Sequence, residues 1–470
     1  MAKSTKKNES IDNAVLTLLD YNSSDYINQS SLEYAMSTLD RAIPGIDGLK
    51  DSQRKAIFTL SKISSEIKTV SCAGRMISDG LYLHGDASAA GTLQQLASPV
   101  ANNYPLIGKR GGFGTQVNSV PASARYTYVK KTKITEALVL RDSDVVPMQD
   151  NYDGSTTEPV HFLPIIPLAL FGNDSMSVGY KSVILPYRLD DIIDNCVRVI
   201  DKKKLKEMTP YYVSVGASER VEKYGEGKYQ FFGTAEVVDA STVLITGLPP
   251  RKSRDVFVEK LIEMQDAGTI RDYDDDSTDT IRITVKLPRG TSAKWTEDDV
   301  IEYFGLSSKI VEFLNVLGEN GLVRSYDDVR SIISDFVEFR FKYYVKRYEK
   351  KLLDAESELR YKALVQECFH NDMISKIKGF QNRTDLVQFV ESLNGEIEAT
   401  DENIQSIVNY PTYRWTQDSY QKVLEDIQEA LSMMDKYTQL LNDHDAIWAI
   451  YREELLELRK MDCAPKQETE

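Results

Sequence analysis

Residues 31–70 read SLEYAMSTLDRAIPGIDGLKDSQRKAIFTLSKISSEIKTV. Apolar residues recur at helical spacing on both sides of the breaker run Ile43-Pro44-Gly45-Ile46-Asp47-Gly48, so this stretch predicts two helices joined by a loop. Around it, residues 45–135 carry twelve basic and five acidic side chains, a net charge of +7, which leaves −22 on the rest of a chain whose total is −15. A basic island on an acidic body is typical of a protein that binds a polyanion at one place, although chance clustering on solvated faces fits the charges equally well.

Length and composition place the chain among ordinary globular proteins. Its 470 residues, 41% hydrophobic and 27% charged, predict about three domains and exclude a disordered chain or a collagen-like fibre. No apolar run is long enough to span a membrane, and the polar first ten residues do not resemble a secretory signal. The four cysteines lie far apart, which predicts reduced thiols in a cytoplasmic protein rather than a zinc site or a disulfide framework.

The hydrophobic pattern changes along the chain. Residues 1–30 read as a polar tail. Within residues 155–330, alternating runs at 231–248 and 280–287 flank a helical stretch at 256–264, which predicts an α+β domain.

The C-terminal part has a different pattern. Apolar residues alternate at spacings of three and four from Val337 to Leu359 and again from Val423 to Leu458, which predicts two long helices in an antiparallel coiled coil. Breakers within residues 370–415 predict a small helical knob at its far end.

Few residue patterns carry chemistry. The chain has no phosphate-binding GxxxxGK[ST] loop and no HExxH or GxSxG motif, and the acidic run at 272–276 favours a solvated turn over a metal site. The pair Arg125-Tyr126 lies inside the basic island. A tyrosine hydroxyl can attack phosphorus if an adjacent cation stabilises the phenolate and the developing phosphorane charge, and arginine can hold phosphate bidentately. From spacing alone, a structural Arg-Tyr pair in a strand is the commoner interpretation.

Several rare strings occur together in one order. The chain thereby resembles the breakage-and-rejoining subunit of type IIA DNA topoisomerases, the gyrase A and topoisomerase IV A family. The similarity runs from about residue 31 to 330 and is architectural beyond that. The matching strings are Tyr34-Ala35-Met36-Ser37, Arg41-Ala42-Ile43-Pro44, Asp47-Gly48-Leu49-Lys50, His84-Gly85-Asp86, Phe113-Gly114, Ala124-Arg125-Tyr126-Thr127, Asp150-Asn151-Tyr152-Asp153-Gly154, Ser177-Val178-Gly179, Ile270-Arg271-Asp272 and Pro288-Arg289-Gly290.

The resemblance implies an α+β multidomain fold: a winged-helix DNA-binding domain, an α/β tower domain, and a long antiparallel coiled coil with a small helical exit-gate knob. The implied domains are an N-terminal arm (1–30), the winged-helix domain with the active tyrosine (31–156), the tower (157–330), and the coiled coil with the exit gate (331–470, knob at about 370–415).

It also implies the DNA cleavage and religation subunit of an ATP-dependent type IIA DNA topoisomerase, an isomerase. Tyr126 would be the nucleophile and form a 5′-phosphotyrosyl link, and Arg125 would stabilise the transition state, with Arg41 and His84 close by. The implied DNA-binding residues are Lys50, Arg54, Lys55 and, as an intercalating wedge, Met176.

The implied partners are double-stranded DNA, a second copy of the chain, and an ATPase subunit with a toprim fold, in a heterotetramer or larger holoenzyme without a membrane. That subunit would bind ATP and supply the ligands for Mg²⁺, so we expect no metal site in this chain. The expected location is the cytoplasm, or the host cytoplasm if the chain is phage-encoded, because its compact length is similar to that of the medium subunits of T-even-type phage topoisomerases.

Departures from the family pattern qualify the resemblance. Tyr128 replaces the glutamate that follows Arg-Tyr-Thr. Ala87 and Gly91 stand where bacterial members carry the serine and acidic residue that anchor quinolones, so we expect a weak response to these drugs. Two other functions stay open: a non-catalytic, DNA-binding architectural protein with a coiled-coil dimeriser, and a tyrosine recombinase, which would form 3′ links.

Overall fold

The two helices predicted on either side of residues 43–48 are present in the computed structural model, which describes residues 23–212 and 220–461. Helix α1 spans Ser23–Ala42 and α2 spans Asp51–Ser61. Most of the predicted N-terminal arm, residues 1–22, lies outside the described residues. The contacts divide the described chain into a larger unit (23–141, 146–337 and 458–461) and a smaller unit (142–145 and 338–457).

Helices and a small sheet follow α2 in the larger unit. The strand order is β1-β3-β2, and both pairings are antiparallel. Ala56, Ile57 and Leu60 bury the inner face of α2. These elements are β1 (Ile67–Lys68), α3 (Thr69–Ser78), α4 (Asp86–Ala97), β2 (Gly108–Arg110) and β3 (Tyr128–Lys130).

The loop before α2 depends on a glycine. Gly48 has a φ of +78°, and a Cβ there would lie 2.1 Å from the backbone nitrogen of Ala169. The close approach and the left-handed backbone both require the missing side chain.

The rest of the larger unit is α+β, as predicted. Helices α6 and α7 pack on a four-stranded sheet of order β10-β11-β13-β12, through a core that includes Val243, Ile245, Phe257, Leu261 and Phe304. The elements are β4 (Met148–Asp150), β5 (Thr157–Pro159), β6 (Asn173–Met176), β7 (Lys181–Ile184), α5 (Leu189–Ile200), β8 (Val221–Gly225), β9 (Lys228–Phe232), β10 (Thr234–Asp239), β11 (Thr242–Gly247), α6 (Arg254–Asp266), β12 (Asp272–Asp275), β13 (Ile283–Lys286), α7 (Glu297–Phe304), β14 (Ser307–Val311), β15 (Leu314–Leu317) and β16 (Val323–Tyr326).

The acidic run at 272–276 was predicted as a turn, and this prediction was wrong. It forms the edge strand β12 against β13. Neighbouring cations compensate its carboxylates: Lys286 Nζ lies 2.7 Å from Asp274 Oδ2, and Arg254 Nη2 lies 2.6 Å from Asp275 Oδ2.

The smaller unit contains most of the antiparallel helix pair. Helix α8 begins in the larger unit and runs from Val329 to His370. Contacts on the seam pair ascending positions of α8 with descending positions of the returning helices. The Phe341 ring stacks on Trp448 (centroids 3.7 Å apart), the Tyr348 ring lies 6.0 Å from that of Tyr437, and Lys362 Nζ lies 2.5 Å from Asp426 Oδ2. The remaining helices are α9 (Met373–Ile377), α10 (Arg383–Asn394), α11 (Asp401–Val408), α12 (Gln417–Asn442) and α13 (His444–Lys460).

Two features of this unit refine the prediction. The returning helix is interrupted at Asp443, whose carboxylate accepts the backbone N–H of Ala446 at 3.2 Å and so caps α13. The knob has its own core, which includes Leu364, Cys368 and Val390.

Element boundaries differ from the predicted domain boundaries. Position 30 lies inside α1, position 156 lies in the β4–β5 hairpin, and position 330 lies in the first turn of α8. The fold class is confirmed, whereas the domain assignment stays a prediction. No helix within the described ranges is long and apolar enough to cross a membrane. Short helical turns occupy Lys133–Thr135, Glu136–Leu140, Ser143–Val145, Leu168–Phe171, Gly395–Ile397 and Thr412–Arg414.

Candidate functional site

Tyr126 lies on a turn just before β3, and its side chain is 64% exposed. The turn closes through the Tyr126 N–H, which donates to the Ser123 carbonyl at 2.8 Å. The next residue, Thr127, is fully buried. The backbone on either side of the tyrosine is therefore held, while the phenol points to solvent.

The N-terminus of α3 anchors this turn. The Thr69 N–H donates to the Thr127 carbonyl at 2.9 Å, and the Val70 N–H donates to the Ala124 carbonyl at 3.2 Å. The Thr69 and Thr127 hydroxyls are 2.8 Å apart. The first N–H groups of a helix have no partner within the helix, so these carbonyls satisfy them. The positive end of α3 consequently lies beside the turn, where it favours negative charge.

Arg125 provides an exposed cation next to the phenol. Its guanidinium carbon lies 4.9 Å from the centroid of the Tyr126 ring. An arginine placed this way can bind two oxygens of a phosphate that the tyrosine approaches. The structure therefore brings together the two residues on which the predicted chemistry depends.

Arg41 and His84 are also exposed, but their contacts are local. Arg41 Nε donates to the Ser37 carbonyl at 3.1 Å at the end of α1. The His84 ring meets the Tyr82 ring edge-on with centroids 5.4 Å apart. Neither contact reaches Tyr126, so the closeness of these two residues to the nucleophile stays a prediction.

Arg54 is buried, which argues against its predicted role as a DNA contact; that role stays a prediction. Only 7% of the residue is exposed. Its Nε and Nη2 donate to the two carboxylate oxygens of Asp47 at 2.8 and 3.0 Å, and Nη2 also donates to the Leu49 carbonyl at 3.1 Å. These bonds occupy the Nε and Nη2 N–H groups, which could otherwise bind two oxygens of a phosphate. Arg54 instead holds the loop between α1 and α2.

Asp47 is the centre of that loop. Besides Arg54, its carboxylate accepts the backbone N–H groups of Leu49 at 3.1 Å and Phe162 at 2.9 Å. Burial opposes ionisation of this carboxyl, but the charge and hydrogen bonds of Arg54 outweigh it and keep the pKa of Asp47 below its ordinary value.

The two predicted DNA-binding lysines at the start of α2 are partly buried. Lys55 Nζ lies 3.2 Å from a carboxylate oxygen of Asp51 and 3.3 Å from one of Glu158. Burial lowers the pKa of Lys50, against the opposing effect of the Asp174 carboxylate on β6. Both lysines therefore have acidic neighbours with which DNA would have to compete.

Met176 ends β6 and is 74% exposed. The hairpin tip beyond it is closed by the Ser177 N–H, which donates to the Tyr180 carbonyl at 2.8 Å. Gly179 in this tip has a φ of +76°. A hydrogen-bonded hairpin thus presents the thioether to solvent, which suits the predicted wedge.

Sequence analysis missed one cation beside the turn. Arg110 lies on β2 directly opposite Tyr128 of β3. The available signal was the basic pair Lys109-Arg110 before two glycines, which the sequence analysis counted only as part of the basic island. No group of three or more His, Cys, Asp and Glu side chains in residues 23–212 and 220–461 could hold a metal ion.

Comparisons with known proteins show which family the sequence matches. The family model that describes the A subunits of DNA gyrase and topoisomerase IV matches residues 41–456. DNA topoisomerase 2 of Bombyx mori is 32% identical over 353 residues, which are 71% of this chain and 23% of that protein. The mitochondrial DNA topoisomerase 2 of Dictyostelium discoideum is 28% identical over 412 residues, 84% of this chain and 31% of that protein. The chain spans about a quarter of the length of these curated relatives.

A solved structure agrees in fold. The DNA-binding, cleavage and re-ligation domain of Plasmodium falciparum topoisomerase II superposes with a TM-score of 0.81 at 23% identity, covering 93% of this chain and 64% of that one. Because the family model extends over most of the sequence, from the end of α1 into α13, the chain belongs to the family of DNA gyrase and topoisomerase IV A subunits.

Proposed function

We propose that this chain is the DNA-cleaving and religating part of an ATP-dependent type IIA DNA topoisomerase. The observation that carries the proposal is the exposed Tyr126 with the Arg125 guanidinium beside it, on a turn anchored to the start of α3. Membership of the family supports it. Transient cuts in both strands would let a second duplex pass before the strands are resealed.

The proposed chemistry is a transesterification. The Tyr126 phenol oxygen attacks the phosphorus of a DNA phosphodiester and loses its proton, and the bond from phosphorus to the 3′ oxygen breaks. The 3′ oxygen leaves as a hydroxyl, and the 5′ phosphate stays on the tyrosine. Arg125 holds the non-bridging oxygens as charge develops on them. Because one phosphate ester replaces another, resealing needs no further energy source.

DNA binding would use the surface around this turn. We assign phosphate contacts to Lys50 and Lys55, and base-step intercalation to Met176 on its hairpin. Arg41 and His84 are proposed neighbours of the scissile phosphate. We leave Arg54 out of these proposed DNA contacts, because it is buried and paired with Asp47.

The proposed Mg²⁺ and ATP belong to another subunit. The proposed assembly is a twofold pair of these chains with an ATPase subunit of toprim fold, in the cytoplasm. The likeness to phage medium subunits stays a prediction.

The first test is Tyr126→Phe in the assembled enzyme. Rapid denaturation should trap covalent protein–DNA adduct with the unmodified chain and none with this variant, while the Kd for DNA stays within about twofold, since only one hydroxyl is lost. Tyr152→Phe is the matched control, because Tyr152 is 91% exposed on another hairpin. Adduct with Tyr126→Phe would refute the assignment.

The same assay separates the other two functions. An architectural DNA-binding protein would bind DNA and yield no adduct with the unmodified chain. A tyrosine recombinase would yield an adduct at the 3′ end, and end-labelled DNA distinguishes that polarity from the 5′ link expected here.

A further inference from the structure

Three side chains form a bridge across β3, the strand that follows the nucleophile. Arg110 of β2 stacks on Tyr128, with its guanidinium carbon 3.8 Å from the ring centroid. Beyond the ring, Arg110 Nε and Nη2 lie 2.8 and 2.6 Å from one carboxylate oxygen of Glu66, which precedes β1. We name this bridge, Arg110–Tyr128–Glu66, the strap.

The sheet under the strap is very small. β1 and β3 share two residue pairs, and β2 and β3 share three. Strands this short contribute little stability by themselves. The strap adds a side-chain link between the two outer strands, across the face of the central one.

The position of the strap relates it to Tyr126. Tyr128 is the first residue of β3, two residues after the nucleophile. The carbonyls of Ala124 and Thr127, one before and one after the nucleophile, are bonded to the start of α3. The backbone that carries the phenol is thus held on both sides by a helix, and the strap adds a link at the start of the strand that follows.

The loop after Arg110 also approaches the nucleophile. Gly111 has a φ of +99°, and a Cβ there would lie 3.2 Å from the carbonyl oxygen of Tyr126. The backbone of this loop therefore lies close to the backbone of the turn.

Arginine is the side chain that can do this. Its planar guanidinium stacks on a ring through its face and binds a carboxylate through its edge at the same time, whereas the lysine ammonium has no such plane. The hydrogen bond from Arg110 lowers the pKa of Glu66.

We propose that Arg110 is a positioning residue for the Tyr126 nucleophile, acting through Tyr128 and Glu66. The inference rests on the proposed function. Arg110 contacts neither the phenol nor the phosphate. It keeps the first residue of β3 in place, so that the phenol oxygen meets phosphorus in line. A misplacement of about 1 Å at a reacting centre can cost on the order of 100-fold in rate.

The test measures cleavage and binding separately in the assembled enzyme with Mg²⁺. Arg110→Gln and Arg110→Lys should each lower the single-turnover cleavage rate at saturating DNA by roughly 10- to 100-fold, with a Kd within about twofold of the unmodified value. The lysine variant is decisive, because it keeps the positive charge but loses both the stacking on Tyr128 and the paired N–H contacts with Glu66. Glu66→Gln should give a smaller loss in the same direction.

Arg220→Gln is the matched control. Arg220 has a similar arrangement beside the sheet of β8, β9 and β14: its guanidinium carbon lies 4.3 Å from the centroid of the Phe232 ring, and its Nε and Nη2 lie 3.0 and 2.6 Å from one Glu222 oxygen. Its Nη1 also forms an ion pair with Asp298. Its loss should leave the cleavage rate unchanged. An equal fall in the cleavage rate of both variants would show that the strap contributes only to general stability, and this would overturn the proposal.

Two further outcomes would overturn it. Arg110 variants that cleave at the unmodified rate would show that the strap does not position the nucleophile. A raised Kd and a smaller salt dependence, with an unchanged rate at saturation and rescue by lysine, would make Arg110 a phosphate contact instead. These results differ from failure of the proposed function, in which the unmodified chain forms no adduct or Tyr126→Phe still does.

Discussion

Replacing Arg54 by glutamine should destabilise the fold and leave the salt dependence of DNA binding unchanged. Arg54 lies in the basic island, where the family resemblance suggests a phosphate contact, yet it is buried against Asp47. Glutamine removes the guanidinium and leaves the fully buried carboxylate with the N–H groups of Leu49 and Phe162 as hydrogen-bond donors.

The size of the effect follows from burial. Removing one partner of a buried ion pair costs about 3–5 kcal/mol, because the remaining charge is desolvated and uncompensated. At about 2–4 °C per kcal/mol for a unit of this size, the Tm should fall by on the order of 6–20 °C. Since the folded-state pKa of Asp47 is lowered, the stabilisation is present above the ordinary aspartate pKa of about 3.9 and is lost as the pH falls through the lower folded value. The two proteins should therefore converge in acid.

Thermal unfolding and DNA titrations over a salt series measure the two effects. Each phosphate contact contributes about 0.9 to the slope of log K against log salt, so a lost contact is detectable. Arg75→Gln, an exposed arginine on α3, is the control and should melt like the unmodified chain. Normal melting of Arg54→Gln, together with a salt slope lower by about one contact, would show instead that Arg54 binds a phosphate.

Three more outcomes are expected. Burial raises the pKa of Glu312 to about 7. As the pH rises, the unfolded chain therefore loses this proton before the folded chain does, and the free energy of unfolding should fall by up to about 3 kcal/mol between pH 4.5 and 7. Urea unfolding at both ends of that range should show a smaller fall in Glu312→Gln. Asp142→Asn should lower the stability of the smaller unit by about 3–5 kcal/mol, because it removes the buried carboxylate to which Arg340 and Arg347 both donate, although Arg347 keeps its ion pair with Glu454; unchanged melting of the helical circular dichroism would contradict this. Quinolones should trap little cleaved DNA with the unmodified chain and more with Ala87→Ser combined with Gly91→Asp, because the pair supplies the serine and acidic residue that anchor these drugs in bacterial members. The structure has room for the second change, since a Cβ at position 91 meets nothing within 4 Å. Bacterial-type sensitivity of the unmodified chain would refute the expectation.

Helices were the most predictable part of the fold. The apolar spacing around α2 and along α8 depends only on which residues share a helix face, and that is a local property of the sequence. The interruption at Asp443 was missed, because the three-and-four pattern continues across it and the cap is a hydrogen bond that spacing does not reveal. Strand β12 was missed since its carboxylates become tolerable only when Lys286 and Arg254 are near them.

The candidate site likewise contains one part that the sequence could predict and another that it could not. Arg125 and Tyr126 are neighbours in the chain, so a motif sufficed to bring them together. Arg110 and Glu66 are 44 positions apart and meet only when β1 and β2 flank β3.

Side-chain periodicity was enough to identify the helical framework, and the order of short motifs was enough to identify the family and the Arg125-Tyr126 pair. Folding alone assigned each cation its partner: it enclosed Arg54 with Asp47, set Arg110 over Tyr128, and left Arg125 in solvent. The reason is that the energy of a charge depends on its desolvation and on groups within a few ångströms, and the chain brings those groups together from positions far apart in sequence.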